Sequence, residues 1–181
     1  MIGNKIETMK NKGFTLIELL VSVFVFTLII GASSGVFISG IRLQRKALAT
    51  QKLLDEVSFA AEYMSRVARM AKRDEGGICI TAGSNFEITG DGFKFLNYKD
   101  ECQEFFLGTD GQLKESKNGG EGIALTSKDF QVLSFNIEVS GERQADNEQP
   151  RVTFFLEVEG KGLDKPKIQL QTTTSQRNLD I

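Results

Sequence analysis

The sequence predicts an α+β protein: one long amino-terminal helix followed by an antiparallel β-sheet head. Three observations predict it. Residues 14–41 form an apolar run with one charge. Residues 42–73 continue with helical periodicity and contain neither proline nor glycine. Residues 74–181 then change to short alternating runs separated by Gly-rich turn signals. The 181 residues suffice for one domain plus an appendage.

The first block, residues 1–13, is short and polar, with Lys5, Lys10 and Lys12 against Glu7. The run Phe14–Ile41 follows, and its single charge is Glu18. As a helix these 28 residues span about 42 Å, enough to cross a hydrocarbon core of about 30 Å. Two membrane readings compete. One is a disposable secretory signal with a small-residue cut near Gly31-Ala32-Ser33-Ser34. The other is a retained helix. Glu18 favours retention, since a carboxylate at that depth costs about 2.5–3.5 kcal/mol and a disposable signal has no use for it. The helical pattern also runs on past Ile41 without a cleavage loop. Arg42, Arg45 and Lys46 nearly balance the lysines on the other side, so charge alone does not orient the helix.

In the second block, Leu43, Ala47, Leu54, Val57, Ala61, Met64, Ala68 and Ala71 recur at helical spacing and define one small or apolar face. One helix is expected from about Phe14 to about Arg73, ended by Gly76-Gly77. Its stripe is expected to pack on a sheet of the same chain. The polar side of 42–73 carries a net +5, and residues 74–181 a net −8. Opposite signs on stem and head favour contact between subunits, although exposed pairs are worth only about 0–1 kcal/mol each.

In the third block, residues 74–181, strands are expected at 78–82, 86–89, 92–96, 104–107, 112–115, 132–140, 152–159 and 168–175. Turns fall at Gly90-Asp91-Gly92, Thr109-Asp110-Gly111 and Asn118-Gly119-Gly120, and a loop or hairpin tip at 141–149. One apolar face per strand predicts an antiparallel sheet half-covered by the helical stripe.

Composition excludes several kinds of chemistry. With no histidine there is no Ser-His or Cys-His nucleophile and no imidazole base or ligand. Two cysteines exclude a four-cysteine zinc site. No carboxylate pair or phosphate-binding loop stands out, so neither catalysis nor a cofactor or metal is expected. A net charge of −2 and an acidic head argue against nucleic acid as a partner. Asp91 and Asp110 lack clustered calcium-ligand spacing and read as turn residues.

Lys12-Gly13-Phe14-Thr15-Leu16-Ile17-Glu18 resembles the type III signal of type IV pilins and type II secretion pseudopilins. The resemblance implies cleavage after Gly13 on the cytoplasmic side by a membrane aspartic prepilin peptidase, N-methylation of Phe14, and retention of the apolar helix. The organisation expected is a leader at 1–13, a transmembrane and assembly helix at 14–41, an amphipathic helix at 42–73 and a β-rich head at 74–181. Glu18 shares a helix face with the new terminus. It is expected to act as an assembly charge that meets the amine of a neighbouring chain; a carboxylate that snorkels to the interface or is protonated is the simpler alternative. Gly31 and Gly35, extended by Ser39, form a small-xxx-small stripe, read either as close helix contact or as local flexibility. Many major pilins carry a proline where this chain has Gly35.

The pilin plan, a long helix packed on an antiparallel sheet, agrees with the block structure. Head size, strand number and the Gln171–Ser175 ending point to a minor pilin or minor pseudopilin. The partners implied are sibling subunits, the prepilin peptidase, the membrane and the inner-membrane assembly platform. The location implied is the cytoplasmic membrane, head outside the cytoplasm, and then the filament. An exported head permits a disulfide between Cys79 and Cys102; pilin heads usually carry theirs nearer the carboxy terminus, and two buried free thiols are the alternative. A membrane-anchored or tip binding module, an adhesin or a DNA-uptake pseudopilin, would share the same leader.

Overall fold

The computed structural model describes residues 13–141, 148–162 and 165–177. The leader expected at 1–13 falls outside them except for Gly13, as does most of the tip expected at 141–149. Helix α1 spans Leu16–Arg69. The chain divides into two compact units at Arg45 and Lys46.

In the first unit the helix makes no core. From Phe14 to Ile38 its large apolar side chains stand open, Leu16 at 82% and Val36 at 76%.

The second unit holds the head, and it contains two antiparallel sheets where a single one was expected. The first has five strands in sequential order: β1 Glu87–Ile88, β2 Gly92–Leu96, β3 Cys102–Leu107, β4 Leu113–Lys117 and β5 Ile123–Ala124. The second has three: β6 Phe130–Ser140, β7 Arg151–Gly160 and β8 Lys167–Ser175. In each sheet, strands that follow one another in the chain lie side by side, which makes each a meander. The β2–β3 turn is built by Asn97, whose Oδ1 accepts the Lys99 and Glu101 amides at 2.8 and 3.0 Å. In β6 the pairing with β7 shifts between Val132 and Ser134. One extra residue is accommodated there, which turns Leu133 outward and returns Phe135 and Ile137 to the inner face. This explains why the alternation in the sequence begins at Phe135.

The core joins the helix to both sheets. Leu53, Val57, Ala60, Ala61, Met64, Val67, Ala68 and Ala71 are buried, together with Phe86, Phe93, Phe95, Phe105, Phe135, Phe154, Leu156 and Val158. Phenylalanine rings touch in sequence across it: Phe93 lies 5.6 Å from Phe105 and 6.3 Å from Phe135, which lies 6.5 Å from Phe154. Burying each such side chain contributes about 1.5–3 kcal/mol. Alanines on the stripe let the strands approach the helix axis closely.

Several expectations are corrected. The buried stripe begins at Leu53, whereas Leu43, Ala47 and Leu54 are exposed. Apolar residues occur at both 53 and 54, and only packing selects Leu53. The helix stops at Arg69, short of 73, because the chain beyond is captured by the head. The Lys72 amide donates to the Leu96 carbonyl at 2.8 Å, the Arg177 amide to Arg69 O at 2.8 Å, and Gln176 Nε2 to Ala71 O at 2.7 Å.

The strand expected at 78–82 is a loop. The buried Asp74 carboxylate accepts the amides of Ile78, Cys79 and Ile80 at 2.9, 2.6 and 2.9 Å, which curls the segment around one charge. Burial pushes the Asp74 pKa up, but the amides of Ile80, Cys79, Ile78 and Gly77 outweigh it and hold the carboxyl below its ordinary value. Cys79 is joined to Cys102 of β3 by a disulfide, with the Cα atoms 5.0 Å apart.

The opposite charges of stem and head meet within the chain. Lys52 pairs with Asp129 at 2.7 Å and Lys72 with Asp100 at 2.8 Å. The hydrogen bond and charge of the first pair raise the Lys52 pKa and lower that of Asp129.

Candidate functional site

The sequence places the site at the start of the apolar run. Gly13, Phe14 and Thr15 are non-helical, and α1 begins at Leu16. Thr15 is the cap. Its Oγ1 accepts the Glu18 amide at 3.3 Å, and its carbonyl accepts the Leu19 amide at 3.2 Å. The Thr15 hydroxyl reaches Glu18 Oε2 at 3.5 Å. Thr15-Leu16-Ile17-Glu18 is thus a capping-box sequence, a signal present in the chain that the motif reading passed over. Glu18 lies in the first turn, where the positive end of the helix dipole favours a carboxylate. Its Oε1 has no partner among the described residues.

Three polar side chains along the run turn back on the helix itself. Ser22 Oγ donates to the Glu18 carbonyl at 2.7 Å, Thr27 Oγ1 to Phe24 O at 2.8 Å, and Ser34 Oγ to Ile30 O at 2.8 Å. They add no unsatisfied donor in an apolar medium. An added Cβ at Gly31 or Gly35 would meet nothing within 4 Å, so both glycines leave an open, shallow strip. With mean hydropathy of 2.4, this segment is long and apolar enough to cross a membrane.

The other candidate residues lie elsewhere. The Cys79–Cys102 bridge belongs to the head, where it ties the 74–84 loop to β3. Asp110 is a turn residue: Oδ1 accepts the Gln112 amide at 3.2 Å and Oδ2 pairs with Lys114 at 2.8 Å. Among the described residues, no group of three or more Cys, Asp or Glu is arranged to hold a metal ion.

Comparison with known proteins gives one family model, the prokaryotic N-terminal methylation motif, which matches residues 8–34. No curated protein and no solved structure matches the chain. The matched segment contains Gly13, Phe14 and Glu18 and the first three quarters of the apolar run. The chain thus carries the prokaryotic N-terminal methylation motif at the head of a long apolar helix that leads into an antiparallel β head, an arrangement consistent with a pilin-like α+β fold.

Proposed function

We propose that the protein is a minor subunit of a type IV pilus or type II secretion-like pseudopilus. In this reading prepilin peptidase cuts after Gly13 and the new amino terminus, Phe14, is methylated. The apolar helix holds the subunit in the cytoplasmic membrane, head outside, until the assembly platform draws it into a filament beside sibling subunits. The work of the protein is assembly, with no reaction catalysed. The observation that carries the reading is the exposure of the whole run Phe14–Ile38 around the single charge of Glu18. So much contiguous apolar surface requires lipid or other helices as its cover. The many-stranded head supports a minor subunit, and the disulfide supports an oxidising compartment outside the cytoplasm.

Glu18 is the docking charge of this reading. After the cut, an amine at Phe14 and the carboxylate of a neighbouring Glu18 neutralise each other, which lowers the cost of keeping either in lipid. The capping role makes a discriminating test available. Glu18→Gln keeps a side chain able to cap the helix and removes the charge; Glu18→Ala removes both. Docking predicts that neither variant enters filaments at the wild-type level. Wild-type incorporation of Glu18→Gln would reduce Glu18 to a capping residue. The mass of the mature chain tests the processing: loss of residues 1–13 and gain of one methyl group are expected.

A further inference from the structure

We propose that the free edge of β8 pairs with β8 of a second copy, joining two heads through one continuous antiparallel sheet. The inference goes beyond the filament reading, since it uses neither Glu18 nor the apolar run. β8 is the last strand of the three-stranded sheet and, among the described residues, pairs only with β7. Two bonds that flank the ladder fix its phase. The Gly160 amide donates to the Pro166 carbonyl at 2.8 Å, and the Gln176 amide to the Pro150 carbonyl at 2.9 Å. In both cases the bonded partners stand directly opposite each other in the same register as Val152↔Thr174 and Val158↔Ile168. In an antiparallel ladder bonded and non-bonded pairs alternate. The even-numbered residues from Ile168 to Thr174 therefore turn their amides and carbonyls toward β7, and Lys167, Gln169, Gln171, Thr173 and Ser175 turn theirs outward. Among the described residues nothing pairs with those outward groups.

Protein edges of this length are ordinarily blunted by proline, bulges or charge. From Ile168 to Ser175 there is no proline, no charge and no register shift. The inner row is also unfinished: Ile168, Leu170 and Thr172 are only half-buried, whereas Val152, Phe154, Leu156 and Val158 behind them are fully covered. A further strand would complete the layer. β8 itself meets the requirements. In an antiparallel pair centred on Gln171, Gln169 faces the copy's Thr173 and Lys167 faces its Ser175. All five outward residues are then bonded and no like charges meet. On the inner face Ile168 and Leu170 come beside the threonine methyl groups of the copy, and on the outer face glutamines and threonines meet.

The test uses the full chain in nonionic detergent micelles, with amide hydrogen exchange resolved by residue at two protein concentrations a hundredfold apart. The Gln169, Gln171 and Thr173 amides should exchange at least tenfold more slowly at the higher concentration, while those of Leu170 and Thr172 stay unchanged. Gln171→Pro sacrifices an amide that makes no bond to β7, so it should abolish the concentration dependence while the Leu170 and Thr172 amides remain protected. Gln171→Lys, which would place two ammonium groups face to face on the two-fold axis, should do the same without touching the backbone. Under oxidation Gln171→Cys should give a linked dimer and Gln169→Cys should not. Equal exchange at both concentrations overturns the proposal. So does protection that survives both Gln171 variants, or that appears only when a sibling subunit is added. None of these outcomes bears on Glu18 or on filament entry.

Discussion

The Tyr63 hydroxyl of the helix donates to Glu115 Oε1 of β4 at 2.9 Å, and this bond anchors a polar chain across an otherwise aromatic interface. Gln103 Nε2 donates to the same oxygen, Asn97 Nδ2 donates to Gln103 Oε1 at 3.0 Å, and Lys117 approaches Glu115 at 3.4 Å. The Tyr63 ring meets Phe105 edge-on at 6.0 Å. One side chain thus supplies apolar cover and closes a hydrogen-bond network that fixes helix and sheet in register.

Tyr63→Phe keeps the ring and removes the donor. The loss expected is about 1–2 kcal/mol, read as a lower denaturant midpoint with an unchanged slope. The same bond makes stability sensitive to alkali. Burial, and then the Glu115 carboxylate, push the Tyr63 pKa up to about 12 from 10.0. The folded state therefore holds a proton that the unfolded chain releases. The stabilisation is complete below pH 10 and disappears as pH rises toward 12. Denaturant midpoints measured across that window should fall more steeply for the wild type than for Tyr63→Phe; parallel curves would contradict the assignment.

Asp74 has the opposite dependence. Its folded pKa lies below the ordinary carboxyl value of 3.8, so its contribution is present above that value and fades as pH falls through the folded pKa. Asp74→Asn places an NH2 group among amides that all donate and should cost at least about 2 kcal/mol. Acid unfolding of the variant should be correspondingly shallower as pH falls below 3.8.

How much of this was legible in the sequence depended on the range of the interaction. The apolar run, its lone Glu18 and the motif around Gly13 were readable because they are local and compositional. Strands β6, β7 and β8 were readable because each is nine residues or longer and carries a stretch of alternating apolar residues, from Phe135 onward in β6. Ile78 and Ile80 alternate in the same way, but the Asp74 carboxylate and the disulfide outbid pairing there; neither acts through periodicity. β5 has two residues, too few for any period. The split into two sheets was hidden because β5 and β6 pair with different strands, a choice made by long-range contact. The cap at Thr15 is spelled out as Thr-x-x-Glu, four residues that lie inside the longer motif around Gly13.

The disulfide closes a loop with a sequence separation of 23. In the chain-entropy model, opening it should cost about 3 kcal/mol. Cys79→Ser with Cys102→Ser should lower the denaturant midpoint of the head accordingly. Because Asp74 grips the same loop, Asp74→Asn combined with the double serine variant should lose more than the sum of the two changes. Additive losses would show that the loop has two independent anchors.

Gly92 is required by close approach. A Cβ there would fall 1.9 Å from the Phe105 carbonyl oxygen and 2.7 Å from the Phe106 Cα, both backbone atoms of the paired strand. Gly92 stands opposite Phe106 at the start of β2, and the Leu107 amide donates to the Asp91 carbonyl at 2.9 Å beside it. Gly92→Ala must therefore push β2 away from β3 next to Phe93 and Phe105, which are both fully buried. The cost expected is about 1–3 kcal/mol, the range for overpacking. Gly90→Ala, two residues away with nothing within 4 Å of its added carbon, is the control and should change stability by less than about 0.5 kcal/mol. Amide exchange should show where the strain is released: the β2–β3 amides should open faster in Gly92→Ala, and those of β7 and β8 should keep their wild-type rates at low protein concentration. Loss of protection in both sheets together would mean that the two unfold as one cooperative unit through their shared core.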